Sequence, residues 1–285
     1  MLELVTNGMS NYGQRIVIAG VEKVGKTTLA CSAANALLVQ LEAGAASIPV
    51  PKLPILDTWS KVEALCLELI AGAKSGKIAR GSSIVWDSAT ALERIIHSEV
   101  LNIDPDKNKV KPSTLNMETA HGGYGKAYAV ANQIFEKWTR YQDELSQYGG
   151  INIIVTCHVF AAKVFDPAHG EYDTWDLLLH SPKNLRSYGK REFITQWADM
   201  VCFLHEPLFV QKAEKGTTLV KGIAANQGRV LAVDRTPGWV AGNRYRLNGV
   251  IPIPAPDQSG LAKEGWNNIA WSIYNNTGID LFNRS

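Results

Sequence analysis

The chain has 285 residues, 46% hydrophobic and 20% charged, which is enough apolar material for a sizeable core. Its formal net charge of +2 excludes a global polycation, so any nucleic-acid contact has to be local. Cys31, Cys66, Cys157 and Cys202 are scattered without a C-x-x-C pair, which argues against a metal cluster and for buried, reduced thiols in a cytoplasmic protein. The first residues, Met1 to Thr6, lack the basic and long apolar regions of a secretory leader, and no apolar run approaches the ~20 residues of a membrane span.

Arg15 to Ala19 reads as a buried strand. It runs into Gly20-Val21-Glu22-Lys23-Val24-Gly25-Lys26-Thr27-Thr28, which fits the phosphate-binding pattern Gly-x-x-x-x-Gly-Lys-Ser/Thr. Glycines at such a loop let consecutive N–H groups converge on one anion. Lys26 can then reach the β- and γ-phosphates of a nucleoside triphosphate, and the Thr27 hydroxyl can sit on Mg²⁺. Thr27 to Ala34 reads as the helix that should follow. An ordinary glycine-rich strand-to-helix turn that binds nothing is the competing reading.

Ala36 to Leu41 is a short apolar run ending at Glu42. Thr58 to Ala73 has helical spacing, with Val62, Leu65, Leu69 and Ile70 on one face and Thr58 as N-cap. Ser83 to Asp87 is a hydrophobic strand ending in an acid, and Ala89 to Leu101 reads as helix. Residues 102 to 123 break the pattern, as functional or disordered segments do. Tyr124 to Tyr148 reads as a long amphipathic helix and Ile151 to Thr156 as a further buried strand. Apolar strands alternating with helices imply a mostly parallel sheet covered on both faces. Lys163 to Leu179 looks like a hairpin around residues 166 to 170. Met200 to Leu204 could be another core strand, Leu208 to Val233 reads as short antiparallel strands, and Leu261 to Tyr274 as a terminal helix.

In α/β nucleotide-binding folds the phosphates lie at the carboxyl ends of the strands. Asp87 can hold Mg²⁺ there, through bound water and Thr27, or can simply cap the next helix. Glu42 can orient and deprotonate an attacking water, or can be a solvated loop glutamate. His158, after the strand, can sense the γ-phosphate, or can be an ordinary hydrogen-bonded histidine. His121 and His169 show no metal-ligand spacing.

These residues together resemble the RecA-like P-loop ATPases of phages, the nucleotide-binding protein type linked to single-strand annealing and recombination. The similarity rests on Gly20 to Thr28, on Leu37-Leu38-Val39-Gln40-Leu41-Glu42, on Ile84-Val85-Trp86-Asp87-Ser88 and on Ile153-Ile154-Val155-Thr156-Cys157-His158. The late segment Arg235-Thr236-Pro237-Gly238-Trp239 with Asn243-Arg244-Tyr245 adds to it, so that residues 14 to 246 are covered. The resemblance implies a RecA-like α/β core with a C-terminal antiparallel extension, ATP with Mg²⁺, a homo-oligomeric ring or filament, and single-stranded DNA as partner. A single-strand-binding or annealing protein is a further implied partner. It makes Glu42 the catalytic base and His158 a sensor, and makes Arg235 and Arg244 candidates for contacts to a neighbour's nucleotide. One domain over 1–285 is expected, with its core at about 12–205 and a β extension and helix over 206–285. Gln40 departs from the pattern, where related chains often carry an acid. The 102–123 loop and the 163–179 hairpin are insertions.

For the DNA, residues 181 to 191 contain Lys183, Arg186, Lys190 and Arg191 without an acid, and Tyr188 offers a stacking face. A solvated basic loop is the other reading. Lys107, Lys109, Lys111 and Lys126 with Tyr124 form a second candidate, diluted by Asp104 and Asp106. The acidic hairpin (Asp166, Glu171, Asp173, Asp176) should repel DNA and suits a neighbour's basic surface instead. Two other functions compete with a DNA-dependent ATPase. One is a nucleotide-dependent assembly or regulatory ATPase; the other is a small-molecule phosphotransferase, which lacks the arginine-rich lid it would need before residue 180.

Overall fold

The computed structural model describes residues 12–108, 111–167, 170–182, 188–211, 221–224 and 228–282. The first strand, β1 (Arg15–Gly20), is buried along almost its whole length and leads into helix α1 (Lys26–Ala30). This helix is shorter than the sequence predicts. Asn35 takes a left-handed backbone conformation (φ 46°), and the chain turns there into β2 (Ala36–Gln40) instead of continuing the helix. Helix α2 (Trp59–Lys74) follows, and its Thr58 N-cap makes no side-chain capping bond. Next come β3 (Ser83–Asp87) and α3 (Ala89–Asn102), which is capped by Ser88 accepting from the Ala91 N–H. Residues 103–108 and 111–123 are irregular apart from two short 3₁₀ turns, as the broken periodicity predicts.

Helix α4 (Lys126–Gln147) leads to β4 (Asn152–Asp166), β5 (Gly170–Leu177), α5 (Lys190–Trp197) and β6 (Met200–His205). Strand β4 is more than twice as long as expected. Its first six residues are buried in the sheet, His158 still lies beside Gly20 of β1, and the stretch from Val159 alternates outward and pairs with β5, from Val159↔Leu177 to Asp166↔Gly170. The remainder is β7 (Leu208–Gln211), β8 (Lys221–Ala224), β9 (Arg229–Ala232), β10 (Gly242–Asn243), β11 (Val250–Ile253) and α6 (Lys263–Thr277).

The sheet order is β11-β9-β6-β1-β4-β3-β2, with β10 beside β6 and β5 beside β4, and β7 and β8 pair separately. Strands β2, β3, β4, β1 and β6 are parallel, while β9, β10 and β11 add antiparallel pairs at the far edge. Alternation along β1 splits the core: Val17 and Ala19 face the layer of α2 to α5, and Ile16 and Ile18 face that of α1 and α6. The first layer is anchored by Trp86 and Trp138, which meet edge to face at 5.5 Å, and Trp86 Nε1 donates to Gln142 Oε1 at 2.9 Å. All four cysteines are buried free thiols, as expected. Among the described residues no helix is long and apolar enough to cross a membrane.

Candidate active site

Parallel pairing puts the ends of four strands in one row. Gly20 lies beside His158 in the β1–β4 ladder, Trp86 beside Val155, and Gln40 beside Asp87. The phosphate loop rises from the middle of this row. Two of its glycines are required sterically. A Cβ on Gly20 would lie 2.6 Å from the Leu204 carbonyl oxygen on β6. Gly25 has φ +98°, and a Cβ there would lie 1.8 Å from Arg229 Nη1.

Lys26 is buried, and its Nζ donates to the carbonyls of Gly20 (3.0 Å) and Val21 (2.8 Å). Burial lowers its pKa, and the nearby Asp87 and Glu42 carboxylates oppose that shift. Among the described residues no carboxylate pairs with this ammonium directly, so its charge is available to a polyanion. Because α1 has only five residues, the anion site rests on the loop N–H groups and Lys26 rather than on a long helix dipole.

Thr27 Oγ1 donates to Asp87 Oδ2 at 3.0 Å, and Thr156 donates to the other carboxylate oxygen. Asp87 therefore does not cap α3; Ser88 does. Burial pushes the Asp87 carboxyl up, and the two hydroxyls hold it down. Thr27 and Asp87 are hard oxygen ligands of the kind Mg²⁺ takes, and being only two they leave positions for phosphate and water.

Glu42 stands two residues beyond β2 and is not a free loop glutamate. Its Oε1 accepts from Ser88 Oγ (2.7 Å) and lies 3.3 Å from His158 Nε2, while its Oε2 accepts from Arg94 Nη2 (2.7 Å). The His158 hydrogen bond is the largest cause holding the Glu42 carboxyl down to about 2, with Ser88 and Arg94 adding to it against desolvation. His158 Nδ1 is buried without a hydrogen-bond partner among the described residues, a polar atom left over for a ligand. Lys26, Thr27, Asp87, Glu42 and His158 thus converge. So do Ser88, Arg94, Thr156 and Arg229, which sequence reading does not single out. Arg229 Nη1 donates to the Val24 carbonyl at 3.0 Å and lies against the loop at Gly25. Thr156 had a signal: it is a polar residue in an apolar strand, two before His158 and so on the same face.

The basic segment fares differently. Lys183 and Arg186 lie outside the described residues, as do Lys109 and His169. Lys190 is corrected: its side chain is 0% exposed, 3.3 Å from Glu93 Oε1 and 3.2 Å from His97 Nε2, so it cannot touch a DNA strand. Burial pushes His97 down to about 4, which keeps the ring neutral and able to accept from the ammonium. Arg191 is corrected too, because its guanidinium is held by Asp176 and Glu192. Asp176 is thereby a buried partner, not a repulsive surface charge. Tyr188 is exposed, as a stacking ring must be. Arg244 pairs with Asp199 at 2.8 Å within its own chain, and Arg235 is exposed.

A family model described as AAA domain matches residues 12–245. No curated protein matches the chain. The match takes in all four strand ends of the site and most of the 285 residues, and the chain belongs to this AAA-domain family of P-loop ATPases.

Proposed function

We propose that the protein is a RecA-like, magnesium-dependent ATPase of the phage recombination or annealing type. Its proposed effector is single-stranded DNA, and it works as a homo-oligomer in the host cytoplasm. The observation that carries the ATPase reading is the row of strand ends in which Thr27 meets Asp87 while Glu42 meets His158. The loop N–H groups and Lys26 hold the β- and γ-phosphates. Thr27 and Asp87 hold Mg²⁺, which when bound neutralises charge on the phosphate oxygens. Glu42, ionised at neutral pH, accepts a hydrogen bond from the attacking water and orients it. A carboxylate titrating near 2 is a weak base, so Glu42 positions the water more than it keeps its proton, which ends on the released phosphate. His158 links Glu42 to the strand that continues into the β4–β5 hairpin.

The DNA part is supported by the family resemblance and by exposed Tyr188, with Lys183 and Arg186 as its remaining cations. Two phosphate contacts instead of four lower the expected log–log salt slope from near −3 to about −1.4, at ~0.7 per contact on single strands. The test is ATP turnover across a titration of oligothymidylate at low salt, for wild type and Lys26→Ala. Turnover that rises with DNA and vanishes in Lys26→Ala is expected. Turnover indifferent to DNA would favour the second reading, an assembly or regulatory ATPase. The neutralisation of Lys190 and Arg191 inside the fold speaks for that reading.

A further inference from the structure

We propose that the aromatic cleft beside the phosphate loop is a docking site for an arginine side chain of a partner protein. The cleft has a volume of about 830 Å³ and is bounded by Val21 to Val24 on one side and by the β4–β5 hairpin and the end of β6 on the other. One wall is a set of nearly parallel rings. Trp175 and Phe203 lie 6.4 Å apart at 21°, Phe203 and Trp239 5.8 Å apart at 15°, and His205 lies 5.0 Å from Trp239. Trp175 keeps 39% of its surface open, so a flat group can stack on it.

The polar groups select the charge of that flat group. Glu22, Asp173 and Glu206 are exposed carboxylates lining the cleft, and Lys23 is the one cation among its lining residues. Such a mouth repels a phosphodiester backbone and attracts a cation. His205 Nδ1 lies 3.2 Å from the Glu206 carbonyl; when it donates there, Nε2 keeps a lone pair, and this atom is buried without a partner among the described residues. Against the Lys23 ammonium and the Trp239 Nε1–H, a buried donor also without a partner among the described residues, the cleft sets three carboxylates, His205 Nε2 and the ring faces. A guanidinium is planar, stacks on indole, stays charged and carries five donors with no acceptor. A lysine ammonium lacks the plane, and a nucleobase brings acceptors of its own and an anionic backbone. The volume exceeds one side chain, so the arginine arrives on a peptide segment. Because Val21 to Val24 form part of the cleft, peptide and nucleotide contact the same loop, and any effect of one on the affinity of the other is reciprocal.

The test uses the full chain and a capped glycine–serine nonapeptide with one central arginine, followed by calorimetry and tryptophan fluorescence. The controls are the same peptide with citrulline, which keeps the plane and loses the charge, and an oligothymidylate of nine nucleotides. Saturable binding is expected for the arginine peptide, weakened about ten-fold or more by citrulline and by the double variant Asp173→Asn/Glu206→Gln. Both substituted residues are exposed, so folding is preserved, and Trp175→Leu gives a second, uncharged disruption. Equal binding of the citrulline peptide, binding unchanged in both variants, preferential occupation by the oligonucleotide, or no saturable binding would each overturn the proposal.

Discussion

The ion-paired state of Glu42 makes a prediction that stability measurements can check without any nucleotide. Its carboxyl is held at about 2 against an ordinary 4.5, chiefly by the His158 hydrogen bond, then by Ser88 and Arg94. A group depressed in the folded state stabilises the fold above its unfolded pKa, and that contribution fades as pH falls through the folded pKa. The window here runs from about 4.5 down to about 2. At 1.36 kcal/mol per unit the ceiling is ~3 kcal/mol. Arg94 is 61% exposed, so its share is screened and ~1–2 kcal/mol is the expected value. Glu42→Gln keeps the shape but removes the charge. Urea denaturation should find it less stable than wild type by that amount at pH 7, with the gap narrowing below about pH 4.5. Part of the gap should also disappear at 1 M salt, where screening acts within ~3 Å. A gap that stays constant between pH 7 and pH 3.5, or no gap at pH 7, would refute the assignment of Glu42 to this cluster. In turnover, the same variant should bind ATP and hydrolyse it slowly.

Gly25→Ala should destabilise the loop by ~1–3 kcal/mol through its left-handed backbone, a larger effect than contact with the movable tip of Arg229. Adding Arg229→Ala should therefore fail to restore the melting temperature, and full restoration would mean that the contact dominates. Lys190→Ala leaves Glu93 partly buried opposite a void and should cost ~3–5 kcal/mol, while Lys190→Met combined with Glu93→Gln should cost less than Lys190→Met alone. Chemical denaturation of the three variants decides between a structural pair and a dispensable one. Thr156→Val removes a hydrogen bond that holds Asp87 down against burial, so Mg²⁺-dependent nucleotide binding should lose its acid side at higher pH than wild type. An unchanged pH profile would show that Thr27 alone controls Asp87.

The parallel core and the positions of Asp87, Glu42 and His158 were legible because fully buried strands are mostly apolar runs, and an acid or a histidine closes each of these runs at its carboxyl end. The phosphate loop was legible because its glycines answer to local geometry. Arg94 was not, because its reach to Glu42 depends on how α3 packs over the strand ends rather than on its own neighbours. The end of α1 was missed because small residues such as Ser32, Ala33 and Ala34 fit a helix as well as the turn that Asn35 closes. Lys190 and Arg191 misled for a related reason. A run of cations without acids reads as a charged surface, but Lys190 pairs with Glu93, far away in sequence on α3, and Arg191 pairs with Asp176 on β5 and with Glu192, one residue past the run.

Strand β4 ties the two proposed binding regions together. Thr156 holds Asp87, and His158 holds Glu42. Three residues further on, roughly 10 Å along an extended strand, Ala161 pairs with Trp175 at the cleft. Trp175 is fixed in turn to the late segment, its N–H donating to the Gly238 carbonyl at 2.9 Å and its carbonyl accepting from Val240 at 3.0 Å. A change at the γ-phosphate that moves His158 therefore meets a hydrogen-bonded strand rather than a loose loop, and the shortest covalent route from there leads to the aromatic wall. The physical test of such coupling is that both ligands bias one element, and β4, like the phosphate loop, is common to both sites. Leu178 N–H donates to the His158 carbonyl at 2.8 Å, so every second residue from His158 turns its backbone to β5, and Phe160→Pro, opposite Asp176, would remove a donor of that ladder. It should leave ATP binding at Lys26 in place and abolish the mutual effect of nucleotide and arginine peptide. Retained coupling in that variant would place the link in the phosphate loop itself, through Val21 to Val24.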